Sequence, residues 1–309
     1  MKTPLLKPSL NLLLFFVLAS LTGYSQIIRI DSTSNWRKSF KAGINLNQAS
    51  FSSNWKAGGI NSIGFNTLLN FKANYKSGKR SWDNEIDLLY GLVKNSGQST
   101  RKTLDRIYLD TKYGYSFNDN WGTFVALNIL SQFAKGYRYE TVNGVEQRAL
   151  ISDAFAPAFI TTSWGVEYHP EDYFKIRFSP FAPRVTILRN NDGRYVAVDP
   201  QKPYGVDVGD DTRFEWLAFQ LLAEYDKEIA TNITLKWRYL MFANYETIEM
   251  KTIDHRLDAI LTGKVTNFID VSVGGILLYD FDQDSGAQVS QAFSLGFLYT
   301  FQNYDDKKK

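Results

Sequence analysis

The chain has 309 residues, a formal charge of +3 and no cysteine, which excludes disulfides, thiolate metal sites and a lipid-anchored cysteine. Near-neutral charge gives no case for nucleic acid as a partner, and 15% aromatic residues with only eight prolines argue against disorder. Mean hydropathy is slightly negative and no segment past the N-terminus resembles a transmembrane helix, so a mature chain that spans a membrane must do so as a closed barrel.

Residues 1–25 read as a cleaved secretory signal: Lys2 and Lys7 precede the apolar run Leu10 to Leu21, and Gly23-Tyr24-Ser25 offers small residues at the cut. The run is shorter than the roughly 20 residues of a spanning helix. Loss of Lys2 and Lys7 lowers the formal charge from +3 to +1. The first strand is expected over Ser39 to Phe51, with Phe40, Ala42, Ile44 and Leu46 on one phase, followed by a loop that contains Trp55, Gly58 and Gly59.

The clearest pattern lies between Ile63 and Leu92. Ile63, Phe65, Thr67, Leu69, Phe71, Ala73 and Tyr75 take every second position and Gly64, Asn66, Asn70, Lys72 and Asn74 fill the gaps, a period of two. A polar turn at Lys76 to Arg80 leads into Trp82, Ile86, Leu88, Tyr90 and Leu92, which oppose Asp83, Glu85, Asp87 and Gly91. Both strands run well past the usual five or six residues, as a tilted strand crossing about 30 Å of hydrocarbon must. Tyr75 and Trp82 flank the turn at girdle positions.

Strand four (Leu104 to Phe117) sets Ile107, Leu109, Tyr113 and Tyr115 against Arg106, Asp110 and Lys112; the turn Asn118-Asp119-Asn120 leads into strand five from Trp121, with Asn128 and Gln132 on its inner phase. Residues 135–154 read as a long polar connection. Strand six covers Ala158 to Tyr168, and strand seven carries Phe174, Ile176 and Phe178 against Lys175 and Arg177, with a bend at Pro180 and Pro183 before Val185 to Leu188. Arg189 to Asp211 is the longest loop. Strands follow at Phe214 to Tyr225, Ile233 to Asn244, His255 to Val265, Ile269 to Phe281 and Val289 to Phe301.

Long and short connections alternate, as in bacterial outer-membrane barrels, and the count of about twelve is even. Trp121, Tyr115, Tyr168, Phe174, Tyr225 and Phe268 gather at the short-turn ends, and the last strand, with its alternating aromatics, resembles an outer-membrane assembly signal, here followed by a charged tail, residues 302–309. The expected fold is all-β, a single antiparallel up-and-down transmembrane barrel over residues 26–301 in the outer membrane of a Gram-negative cell. Its partners would be membrane lipids and lipopolysaccharide, the outer-membrane assembly machinery during biogenesis, and further envelope proteins.

Chemistry candidates are few. His169 sits in a turn, and His255 has Ile253 and Leu257 as same-face neighbours, so local spacing supplies it no nucleophile. Asp280 to Gly286 starts like a calcium loop, but Ser285 stands where the turn glycine belongs and Gln291 where the bidentate Glu belongs; an acidic hairpin tip reads better. No catalytic set, cofactor or metal is expected. The inward phases collect Lys72, Asp83, Glu85, Asp87, Arg106, Asp110, Lys112, Lys175, Arg177, Lys236, Arg238, Arg256 and Asp258, with Lys264 further along. Such charges either line a hydrated pore or pair across strands and fill it.

Asn54-Trp55-Lys56-Ala57-Gly58-Gly59 with Asn61-Ser62, Ser81-Trp82-Asp83-Asn84, Tyr90-Gly91-Leu92, Lys112-Tyr113-Gly114-Tyr115 and Phe133 to Tyr137 resemble a Bacteroidota family catalogued only as a domain of unknown function. The resemblance spans most of the mature chain and implies an envelope β-protein, with no assigned activity. Trp55, Gly58 and Gly59 form either a docking or lipopolysaccharide-contact element or a tight interfacial turn. The functional expectation is a narrow passive channel for small polar solutes with the lumenal charges setting selectivity. The alternative is an accessory barrel of a larger envelope complex, with an outer-membrane enzyme third.

Overall fold

The computed structural model describes residues 35–52, 60–266 and 269–303; the signal segment, Trp55, Gly58, Gly59, Phe268 and the tail beyond Asn303 lie outside the described residues. Strands β1 (Trp36–Ala49), β2 (Ser62–Ser77), β3 (Arg80–Asn95), β4 (Arg101–Ser116) and β5 (Trp121–Ser131) form a meander. The hairpin β6 (Gly136–Val142) and β7 (Val145–Ser152) stands apart as its own two-stranded sheet. β8 (Ala158–Glu171) and β9 (Phe174–Phe181) follow, and β10 (Arg184–Ile187) continues β9 after the Ala182-Pro183 break. β11 (Thr212–Glu215) similarly precedes β12 (Ala218–Ala230), with Trp216 and Leu217 between them; then come β13 (Ile233–Asn244), β14 (Asp254–Lys264), β15 (Ile269–Asp280) and β16 (Asp284–Gln302).

The order β8-β5-β4-β3-β2-β1-β16-β15-β14-β13-β12-β9 closes through β9 onto β8, making an antiparallel ring of twelve strands. The last strand pairs with the first, from Ser39 opposite Gln302 to Asn45 opposite Gly296. Closure leaves no free edge around the ring, the condition a spanning sheet must meet.

The usual burial pattern is inverted. On β5 and β8, Gly122, Phe124, Ala126, Thr161, Ser163 and Gly165 are buried while Val125, Leu127, Trp164 and Val166 are exposed. On β16, Phe293, Leu295, Phe297 and Tyr299 are exposed and Ser294 is buried. An outer wall of large apolar side chains around a polar interior is what lipid outside and charge inside require. Aromatic pairs crowd the short-turn end: Trp36 with Tyr75 at 5.3 Å between ring centroids, Trp121 with Tyr168 at 4.7 Å, and Tyr225 stacked on Trp237 at 5.7 Å. A second set, including Tyr239, His255 and Tyr279, marks the long-loop end. Two such belts are the interfacial girdles of a barrel.

Three connections differ from the sequence expectation, the simplest being 282–288, which shrinks to residues 281–283 because β16 begins at Asp284. Within the long polar connection expected over 135–154, residues 136–152 form a hairpin: Asn143 and Gly144 take φ of 52° and 78°, the left-handed pair that a tight two-residue hairpin turn needs. Glu146 accepts hydrogen bonds from Ser99 (2.6 Å) and Arg101 (2.5 Å), which tie the hairpin to the β3–β4 connection and hold its carboxyl below the usual range. The loop after β10 is not an open excursion either. Leu188, Tyr195, Tyr204 and Val206 bury themselves with Ala156 in the one apolar cluster found among the described residues. The largest apolar core is therefore a loop plug at the outer end, not the barrel wall.

Candidate functional site in the barrel interior

Each inward-phase charge that the sequence singles out on β2, β3, β4, β9, β13 and β14, from Lys72 to Asp258, makes an ion pair; Lys264, at the end of β14, is not in this network. Glu85 receives Arg238 at 2.6 Å, Lys72 at 3.6 Å and Lys236 at 3.7 Å. Arg238 also reaches Glu224 at 2.8 Å and lies 4.4 Å from the Tyr108 ring centroid. Glu224 takes Lys175 at 2.9 Å and Arg177 at 3.8 Å; Arg177 continues to Asp110 at 3.0 Å and Glu167 at 3.2 Å. Lys112 joins Glu167 at 2.5 Å to Asp83 at 3.1 Å. A second group runs Asp87, Arg106, Asp258, Arg256, with Arg106 to Asp258 at 3.1 Å and Arg256 to Asp258 at 2.8 Å. Asn70 links the two groups by donating to Glu85 at 2.9 Å and to Asp87 at 3.4 Å.

Position on the ring decides what these pairs do. β4 and β14 stand six places apart in a ring of twelve, as do β3 and β13. Arg106–Asp258 and Arg238–Glu85 therefore reach from one wall to the opposite wall. Arg177 of β9 spans three places to Asp110 of β4. A barrel of this size leaves an interior that long side chains can bridge, and here they bridge it. Of the two sequence alternatives, lining a pore or filling it, the side chains take the second at this level.

Glu167 and Glu224 complete the layer and were not among the residues singled out. Glu167 lies on the polar phase of β8, where parity alone marks it. Glu224 is harder to find, because its inward neighbour on β12 is Leu222, 5% exposed, which masks the alternation. Tyr108, also buried, shows the same masking on β4.

The loop plug packs at the long-loop end of the barrel. Tyr204 donates to Ile151 O at 2.8 Å, and Asn191 Nδ2 donates to Asp207 O at 2.9 Å. Arg213 pairs with Asp282 at 2.5 Å and Glu215 at 3.3 Å directly against Gly205, whose φ of 74° and lack of a side chain allow that approach. Between plug and ion-pair layer lies a cavity of about 180 Å³.

Two carboxylates of the supposed calcium loop, Asp280 and Asp284, serve the turn itself, while Asp282 pairs with Arg213. Asp280 accepts from Asp282 N at 3.0 Å and Gln283 Nε2 at 2.6 Å, and Asp284 accepts from Gly286 N at 2.8 Å. Among the described residues no group of three or more His, Asp or Glu side chains is placed to hold a metal. His255 Nδ1 meets the Tyr239 hydroxyl at 2.7 Å between two aromatic rings in the outer girdle. His169 stands 3.7 Å from Glu167.

No curated protein matches the sequence significantly. Among solved structures the chain is similar to the NanC porin (8% identity, 84% of this chain and 98% of that one, TM-score 0.40). It is also similar to an outer membrane channel from Pseudomonas putida F1 (9%, 88% and 96%, TM-score 0.38) and to the Pseudomonas putida toluene transporter TodX (8%, 91% and 94%, TM-score 0.29). The family described as "Protein of unknown function (DUF3078)" matches residues 46–137, which run from the end of β1 through β5 into the β6 hairpin and contain the short motifs quoted above.

Proposed function

We propose that the protein is an outer-membrane barrel that gives small polar solutes a passage held shut at rest by ion pairs crossing its lumen. The observation that carries this reading is the pairing of Arg106 with Asp258 and of Arg238 with Glu85 between diametrically opposed strands. Charge throughout the interior suits a hydrated path, and its pairing keeps that path closed. The outward apolar wall and paired girdles support the membrane location.

Planar-bilayer recording tests the proposal. The native protein should be silent or nearly so. Arg106→Gln with Arg238→Gln removes both arginine crossings and two positive charges, leaves Lys236 to Glu85 at 3.7 Å as the remaining crossing, and leaves Asp87, Glu85 and Glu224 with fewer partners, so discrete steps with cation selectivity are expected. Silence from a folded, inserted double variant sinks the passage reading and leaves the accessory barrel of an envelope complex.

A further inference from the structure

The cavity between the ion-pair layer and the loop plug has a lining of a different kind from the layer below. It is bounded on one side by Arg106 and Arg256 and on the other by Tyr204 and Gln283. Its charged groups are already committed: Arg184 to Asp254 at 2.9 Å, Arg256 and Arg106 to Asp258, and Asp105 to Lys102 at 2.7 Å. Asp280 is held by the Gln283 amide and a backbone N–H. Arg106 Nε and Arg184 Nε lack hydrogen-bond partners among the described residues but are themselves sealed from the cavity, and the uncommitted groups that reach it are neutral. Gln220, 7% exposed, and Thr161, 3% exposed, face the cavity, and among the described residues neither side chain has a hydrogen-bond partner. Asn128, opposite Thr161 in the β5–β8 ladder, is in the same position. Amides and hydroxyls that face a void with no protein partner suit an occupant with both donors and acceptors.

We propose that this chamber binds a small neutral polyhydroxylated solute of monosaccharide size. The volume of about 180 Å³ equals roughly six waters at their liquid share of about 30 Å³ each. Phe159 and Tyr204 add aromatic surface to the lining, against which the C–H face of a sugar ring packs while its hydroxyls meet Gln220, Thr161 and Asn128. The balanced charge of the lining disfavours an anion or a cation, either of which would leave one committed pair short of its partner. The proposal deepens the passage reading but does not need conductance: it names the solute class that would occupy the path between plug and layer.

The test is titration calorimetry on the full barrel in detergent micelles, with glucose and N-acetylglucosamine as neutral probes and gluconate and glucosamine as charged ones. Heat-modifiable migration on gels monitors folding. A neutral probe should bind saturably, the charged ones more weakly, and Gln220→Leu with Thr161→Val should weaken the neutral probe about tenfold or more while the fold is kept. Three results overturn the proposal: no saturable binding of either neutral sugar, binding unmoved by the two substitutions, or tighter binding of gluconate or glucosamine. Sugar binding by a barrel whose layer variants never conduct would defeat the passage reading alone.

Discussion

Glu224 joins three cations of the interior layer and so makes a direct test of it. Its carboxylate meets Lys175 at 2.9 Å, Arg238 at 2.8 Å and Arg177 at 3.8 Å, and the side chains of Glu224, Arg238 and Arg177 are 15%, 13% and 5% exposed. Glu224→Gln keeps the shape and removes the charge. Stripping one member from a buried pair typically costs about 3–5 kcal/mol because the other charge is left buried and uncompensated. Here each arginine keeps a second partner, Arg177 with Asp110 and Glu167 and Arg238 with Glu85, while Lys175 is 37% exposed and turns to water. The expected loss is therefore at the low end, about 3 kcal/mol. Urea unfolding in phospholipid vesicles, followed by tryptophan fluorescence, measures it. Arg238→Gln and the double variant complete a cycle in which the pair should show a coupling of about 1–3 kcal/mol. A loss for Glu224→Gln below about 1 kcal/mol, or strictly additive single changes, would refute the view that these contacts form one buried layer.

Three further outcomes are expected. A Cβ on Gly165 would land on the Phe178 carbonyl and within 2.7 Å of Ser179 Cα, both backbone of β9, so Gly165→Ala should lower the folded fraction on heat-modifiability gels by an overpacking cost of about 1–3 kcal/mol, whereas Gly274→Ala, whose nearest neighbour would be Ala259 O at 3.8 Å, should not. Burial raises the Tyr204 hydroxyl above the ordinary tyrosine range, so the plug's stabilisation is complete below about pH 10 and is lost as pH climbs through the raised value. Proteolysis of the 189–211 loop should accordingly accelerate only in strong alkali, and Tyr204→Phe should reduce that pH dependence, leaving the part due to Tyr195, which burial also raises. Trp164, exposed at mid-strand on the outer wall, should be quenched most by lipids brominated near the bilayer centre, and Trp121, beside the β4–β5 turn, by lipids brominated near the headgroup. Equal quenching at both depths would contradict the membrane-spanning arrangement.

Much of the wall was legible because period two is a local property. Ile63 to Tyr75 and Trp82 to Leu92 declare their faces without reference to anything distant, and the short turns at 78–79 and 231–232 follow from Gly78 and Asn232 at positive φ. The hairpin at 136–152 carried an equally local signal in Asn143-Gly144, but its strands are short and polar on both sides, so the turn was outweighed by the composition around it. The plug was hidden for the opposite reason. Leu188, Tyr195, Tyr204 and Val206 have no period, and only the folded loop brings them together among the glycines and aspartates that mark a connection.

The interior layer marks the limit of such reading. Alternation assigns Glu85 and Arg238 to the inward face, but it does not state that residues 153 positions apart will meet. That follows from ring size: with twelve strands, β3 and β13 are opposite, and the span between walls is short enough for a glutamate and an arginine to close it. A wider ring with the same inward charges would leave them solvated along the wall, and the same sequence pattern would describe an open pore. Strand number, which depends on every connection in the chain, thus determines whether the charges act as a lining or as a closure. Changes that remove charge from Arg106 and Arg238 act on that closure directly, while the neutral groups at Gln220, Thr161 and Asn128 lie on the chamber wall beyond it and remain available for a solute in either state.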